Sequence, residues 1–256
     1  MMRVLTAAAL LPAVVYVVLW SNAWVFLAVV FAVAYLSWRE YDAIAAVYGF
    51  GAPGLTGAAA GYVLLAWPGE VWLYLLIFLL VALALAMRMD DLSHALPHAA
   101  LLATGVLYIF GAWKSAILLR AVSPHWLMFG LIVSWAGDIG AYYVGRKLGK
   151  HKLAPRISPG KSWEGSAASV AASVLIAGAY LVRFVPGAGI APAIGITVAA
   201  NIAGQFGDLA ESAMKRGAGV KDSGTILPGH GGFLDRVDST LFVLPVIYAY
   251  LKLAGA

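Results

Sequence analysis

The chain has 256 residues, 62% hydrophobic and 11% charged, with a mean hydropathy of +0.88; a water-soluble domain is nearer half apolar and a quarter charged, so the composition predicts an integral membrane protein. The net charge of +5 sits in clusters rather than along a basic stripe on a soluble domain, which argues against nucleic-acid binding. Cysteine is absent, so disulfides and thiolate metal sites are excluded.

A helix needs about 20 mainly apolar residues to cross the hydrocarbon layer. Nine stretches qualify, near 4–20, 23–38, 53–67, 71–87, 99–119, 126–144, 165–184, 190–208 and 237–254. The expected fold is all-α: a polytopic membrane protein of about nine transmembrane helices with its polar site at the cytoplasmic face. Residues 1–256 would form one membrane domain, with N-terminal helices over 1–125 and C-terminal helices and loops, which carry the polar site, over 126–256. The first stretch, with Arg3 before it and Ser21-Asn22-Ala23 after it, shares features with a cleaved leader but is read as a retained helix. Small residues in the third stretch (Gly54, Gly57, Gly61) and the seventh (Ala167, Ala168, Ala171, Ala172) suit close helix packing. Trp20, Trp24, Trp38, Trp67, Trp72, Trp126 and Trp163 fall near span ends, as interfacial anchors do.

Apart from Lys114, Arg120, Arg183 and Lys252, every Lys and Arg lies in the N-terminal tail or near the connections after the second, fourth, sixth and eighth spans. Positive charge favours the cytoplasm. The expected location is therefore the cell (inner) membrane, with the N-terminus and catalytic loops cytoplasmic and the C-terminus outside. Of 12 acidic residues, Asp138, Glu164, Asp208, Glu211, Asp222, Asp235 and Asp238 fall in the C-terminal half, interleaved with the basic ones. Acids and bases packed at one membrane face suggest a site for a metal and anionic ligands.

Asp138 and Tyr142 are four apart near the inner end of the sixth span and so share a helix face. Ser158 before Pro159 reads as a helix N-cap followed by proline at the first turn. Gly160-Lys161-Ser162 lacks the earlier glycine and the preceding strand of a phosphate-binding P-loop, and that reading is rejected. Lys161 is left between phosphate contact and headgroup snorkelling. His94, His98, His125 and His151 are read as loop residues, solvated or interfacial, without metal-ligand spacing. Lys114, inside an apolar span, either snorkels or pairs within the bundle.

Asp208, Glu211, Ser212 and Lys215 recur at helical spacing on one face of a helix continuing from the eighth span, which Gly217 and Gly219 end. Leu227 to Gly232 forms a glycine-rich loop able to present backbone N–H groups to phosphate. Asp235 and Asp238 open the last span, either as caps or as ligands. Asp208 and Asp235, on separate helices, are able to hold one Mg²⁺, a hard ion that takes one or two carboxylates plus substrate phosphates. Lys215, Arg216, Lys221 and Arg236 would then neutralise phosphate charge.

The run from Ser212-Ala-Met-Lys-Arg through Lys221-Asp-Ser-Gly-Thr-Ile-Leu-Pro-Gly-His-Gly-Gly-Phe-Leu-Asp-Arg-Val-Asp238 closely resembles the signature of the phosphatidate cytidylyltransferases, or CDP-diacylglycerol synthases. Asp138-Ile-Gly-Ala-Tyr142 and Ser158-Pro-Gly-Lys-Ser-Trp-Glu164 resemble further patterns of that family, and the similarity is strong over roughly 135–240. The resemblance implies an enzyme that condenses CTP with phosphatidate to CDP-diacylglycerol and pyrophosphate, requires Mg²⁺ and forms homodimers. It implies Asp208 and Asp235 as metal ligands and Lys215, Arg216, Lys221, Asp222, His230 and Arg236 as the catalytic set. Asp138, Tyr142, Ser158, Lys161, Ser212, Gly231 and Gly232 would contact substrate. The rival readings are a CTP-dependent transferase acting on another membrane lipid and a transporter; the latter is disfavoured because the charges gather at one face without a repeat.

Overall fold

The computed structural model describes residues 2–68, 71–226 and 231–255, leaving aside the side chains of residues 2–9 and of Trp72. His230 lies outside the described residues. Helices run over Met2–Leu19 (α1), Ala23–Val47 (α2), Gly54–Ala66 (α3), Val71–Ala86 (α4), Leu92–Val122 (α5), Pro124–Leu148 (α6), Trp163–Phe184 (α7), Ile190–Gly217 (α8) and Asp238–Leu253 (α9). Each predicted span falls on one of them. Five, α2, α5, α6, α7 and α8, are long and apolar enough to cross a membrane. The others are shorter, so the structure supports an all-α membrane protein without fixing the number of crossings.

Helix starts follow local chemistry. Asn22 accepts from Val25 N–H at 2.9 Å to cap α2, and Ser123 caps α6 with Pro124 in its first turn. Single π-type turns interrupt α5 at Val106–Gly111 and α7 at Val174–Gly178. The small-residue stripes act as contacts. A Cβ on Gly61 would lie 2.0 Å from the Phe110 ring, so α3 receives that ring of α5, and one on Gly140 would lie 2.7 Å from the Ala168 carbonyl, so α6 meets α7 at backbone distance.

Several expectations are corrected. The segment around Ser158 is not a helix start: Ser158–Ser162 (β2) pairs antiparallel with Lys152–Ala154 (β1), a hairpin within the helical fold. The cap is Ser162, whose Oγ accepts from Gly165 N–H at 3.2 Å and starts α7. Trp38 and Trp126 are core residues, whereas Trp20, Trp24 and Trp163 are exposed as expected. His98 and His125 lie on helices and are partly buried: His98 Nδ1 is 3.1 Å from the Phe50 carbonyl, and His125 Nδ1 is 2.8 Å from Tyr180 Oη. His151 pairs with Glu164 at 2.6 Å. Lys114 pairs within the bundle, donating at 2.9 Å to the carbonyls of Leu65 and Trp67 at the end of α3, where helix carbonyls lack intrahelical partners.

Candidate active site

Two polar constructions meet at the C-terminal end of α8. The first is a cavity of about 500 Å³ between α6, α7, α8 and the hairpin, floored by Val133 and Val243. Asp138, Tyr142, Lys161 and Asp208 line it. Lys161 Nζ stands 2.5 Å from Asp208 Oδ2, with about a quarter of the lysine side chain and a third of the aspartate exposed. Ser212 Oγ donates to the other Asp208 oxygen at 3.4 Å, and Tyr142 Oη accepts from Arg146 at 2.8 Å. One wall is a hydrogen-bonded seam: Gln205 exchanges bonds with Ser166 and donates to Asn201 at 2.8 Å, and Asn201 donates to Ser169 and Ser173. In an apolar span such amides persist only when paired. Here each holds α8 against α7.

The second construction is the signature loop. Lys215 is buried and forms ion pairs with both Glu211 and Asp235. Asp235 also accepts from Gly232 N–H at 2.8 Å and Ser223 N–H at 3.1 Å. Burial pushes the Asp235 carboxyl up, but the Lys215 ammonium and the Gly232 N–H outweigh it and hold the group below its ordinary value. From the N-terminal half, Glu40 of α2 reaches into the same loop. It accepts from Ser223 Oγ at 2.7 Å, Phe233 N–H at 2.8 Å and Leu234 N–H at 2.7 Å. Tyr48, the residue that caps the end of α2, donates to the Met214 carbonyl at 2.9 Å.

The structure sorts the residues singled out in the sequence. Asp138, Tyr142, Lys161 and Asp208 share the cavity, while Lys215, Asp235, Gly231 and Gly232 belong to the loop cluster. Asp208 and Asp235, expected to share an ion, sit in separate ion pairs. Asp208 is within electrostatic reach of Asp138 and Asp238, and Glu211 links that group to Asp235. Among the described residues, no three or more His, Cys, Asp or Glu side chains stand close enough together to hold a metal unaided. Arg216 is exposed and donates to Val220 O at 3.2 Å; Lys221, Asp222 and Arg236 are also exposed. Ser158 sits on the hairpin rather than in the cavity wall. Gly231 takes the positive φ expected of the loop, +78°. A Cβ on Gly232 would lie 1.9 Å from Ser223 Oγ and 2.4 Å from Glu40 Oε2, so protein atoms fill the space that its missing side chain leaves.

Sequence reasoning passed over Glu40, Ser223 and the Asn201–Gln205 seam. The signals were present: an acid within an apolar helix, and two amides four residues apart in a span.

A sequence profile of the cytidylyltransferase family matches residues 1–254. The chain belongs to the cytidylyltransferase family. The phosphatidate cytidylyltransferase of Staphylococcus aureus (strain COL) is 45% identical over 130 residues, covering 50% of this chain and 49% of that protein. That of Bacillus subtilis (strain 168) is 48% identical over 129 residues, 50% and 48% of the two chains. That of Staphylococcus saprophyticus is 40% identical over 157 residues, 61% and 58%. The chain thus spans about half the length of the first two curated relatives it matches. Both polar constructions of this cytidylyltransferase-family chain, and the α2 residues that reach them, fall inside the region that the family profile covers.

Proposed function

We propose that this chain transfers the cytidylyl group of CTP to phosphatidate, giving CDP-diacylglycerol and pyrophosphate. The observation that carries the reading is the cavity: carboxylates and a partly exposed lysine at one end of a bundle of apolar helices, in a member of the cytidylyltransferase family. A phosphate oxygen of the lipid attacks the α-phosphorus of CTP, a new P–O–P linkage forms, and the bond to the β-phosphate breaks with pyrophosphate leaving. A phosphate monoester is already largely ionised near pH 7, so the attack needs little proton removal. What remains is positioning and charge stabilisation. Ile139 and Phe206, beside the cavity on α6 and α8, are exposed apolar residues suited to lipid tails, while the polar cavity accepts headgroup and triphosphate.

The residues fit a divalent cation. Asp138, Asp208, Glu211, Asp235 and Asp238 face Lys161, Lys215 and Arg236, leaving formal negative charge in excess. Glu211 is fully buried, and apart from its ion pair with Lys215 neither carboxylate oxygen receives a hydrogen bond. Asp208 and Asp235 would hold Mg²⁺, with the substrate phosphates completing its oxygen ligands. Bound there, the ion supplies positive charge to offset the triphosphate and the leaving pyrophosphate. Lys161 is placed to release Asp208 and take up a phosphate oxygen. Lys215 keeps Glu211 and Asp235 compensated from behind. Arg216, Lys221 and Arg236, exposed around the loop, provide further cations for phosphate, with His230 and Gly231 in the adjoining segment.

In this reading the helices cross nine times, with the N-terminus and catalytic loops cytoplasmic and the C-terminus outside, in the cell membrane. Contacts between helix ends support the alternation. Arg120, near the end of α5, donates to Val18 O at 2.9 Å near the end of α1, and Lys114 donates to the end of α3. At the opposite face, Tyr48 near the end of α2 meets the end of α8. A single domain over 1–256 and a homodimer complete the proposal, the latter on the resemblance alone. The test is incubation of detergent-purified protein with α-labelled CTP, phosphatidate micelles and Mg²⁺. Label should enter the lipid phase in step with pyrophosphate release; label transfer confined to a different lipid would redirect the reading, and no transfer at all would sink it.

A further inference from the structure

The signature loop is secured to the N-terminal half of the chain by one carboxylate. Glu40 lies on α2, nearly two hundred positions from its loop partners in the sequence, and is 4% exposed. Both of its oxygens are used: Oε1 takes Phe233 N–H, and Oε2 takes Leu234 N–H and Ser223 Oγ, all within 2.8 Å. A buried carboxylate with three short donors is strongly held, because each donor bonds to a charge in a poorly solvated place.

These three donors flank the residues on which the proposed chemistry depends. Ser223 N–H bonds to Asp235, the Ser223 hydroxyl that donates to Glu40 also accepts from Asp235 N–H at 3.3 Å, and Phe233 and Leu234 immediately precede Asp235. Two glycines of the signature make room for this contact. A Cβ on Gly224 would lie 2.5 Å from Glu40 Oε1, and one on Gly232 2.4 Å from Oε2. The loop is therefore moulded around Glu40 at both its ends, while Glu40 itself does not line the cavity.

Resting on the reading above, we propose that Glu40 is a positioning residue: it fixes the backbone of 223–224 and 232–235 so that Asp235 faces Lys215 and Glu211. It touches neither substrate nor reacting atoms. Removing its charge leaves the cavity intact but lets the segment bearing Asp235 move. The turnover step should then suffer more than CTP binding does.

The test uses full-length protein in detergent, with Glu40→Gln as the main variant and Ser223→Ala as a milder one that keeps the carboxylate. In Glu40→Gln, kcat should fall about tenfold or more, a larger factor than any rise in the KM for CTP. Amide exchange in peptides covering 223–235 should quicken about tenfold or more while peptides from α6 and α8 keep their protection. Ser223→Ala should show the same pattern at smaller size, and its effect should not add to that of Glu40→Gln. Wild-type kcat in Glu40→Gln would overturn the proposal. So would faster exchange throughout the helices in both variants, which would make Glu40 a general support of the fold. The exchange measurement needs no turnover, so it separates failure of this inference from failure of the functional reading, which wild-type protein tests.

Discussion

The cavity and the signature loop use the same side-chain types to opposite ends. In the cavity, Lys161 and Asp208 form a pair whose side chains are about a quarter and a third exposed. In the loop, Lys215 and Asp235 are each about one-tenth exposed and Glu211 is fully buried. A solvated pair contributes little to stability and is readily exchanged for a ligand. A buried cluster cannot lose one member without stranding the others. On the proposed function, charge in the cavity would meet substrate, while Lys215 and Glu211 hold the scaffold around Asp235. Of the lysines assigned to phosphate from sequence, Lys161 lines the cavity and Lys215 is already committed to Glu211 and Asp235.

Substitutions sharpen that contrast. The largest effect is expected for Asp208→Asn, which should lower kcat on the order of 100-fold or more with an unchanged unfolding midpoint; near-normal turnover would remove Asp208 from the metal role. Asp235→Asn should lose activity and also stability, about 3 kcal/mol by thermal or denaturant unfolding, because Lys215 loses its counter-charge and one of the two oxygens that accept from Lys215 and from the N–H groups of Ser223 and Gly232 becomes a donor. Since the Asp235 carboxyl is held below its ordinary value, its stabilising contribution is present above the ordinary carboxylate range, about pH 4, and is lost as pH falls through the depressed value. An acid limb of unfolding unaltered by Asp235→Asn would count against this.

The paired lysines provide the next comparison. Lys215→Met should lower the unfolding midpoint markedly, whereas Lys161→Met should barely move it yet raise the KM for CTP about tenfold. Equal destabilisation by the two would erase the distinction between cavity and loop. The seam is tested by Gln205→Ala, which removes the bonds to Ser166 and Asn201 and should cost about 1 kcal/mol for each hydrogen bond lost. Unfolding in detergent reads that cost directly.

Much of this arrangement was legible from residue order. Hydropathy located every helix, and the spacing of Asp208, Glu211, Ser212 and Lys215 predicted the polar face on α8. The hairpin was not legible: Ser158-Pro159 satisfies a helix-start pattern, and only pairing with Lys152–Ala154 decides for a strand. Nor was the division of labour among lysines, because helical spacing says which residues share a face but not how deeply each is buried. Glu40 shows the limit most clearly. An acid within an apolar helix signals a task, but its partners lie in a segment brought near only by the packing of α2 against the end of α8.

The most direct test measures lipid-borne cytidine and pyrophosphate together, in wild-type protein and in Asp208→Asn matched for folded fraction, with CTP and phosphatidate across a Mg²⁺ titration. Equimolar formation of both products by the wild type, dependent on Mg²⁺ and nearly abolished in the variant, is the predicted result. Pyrophosphate released without cytidine entering the lipid, or equal turnover by the two proteins, would contradict it.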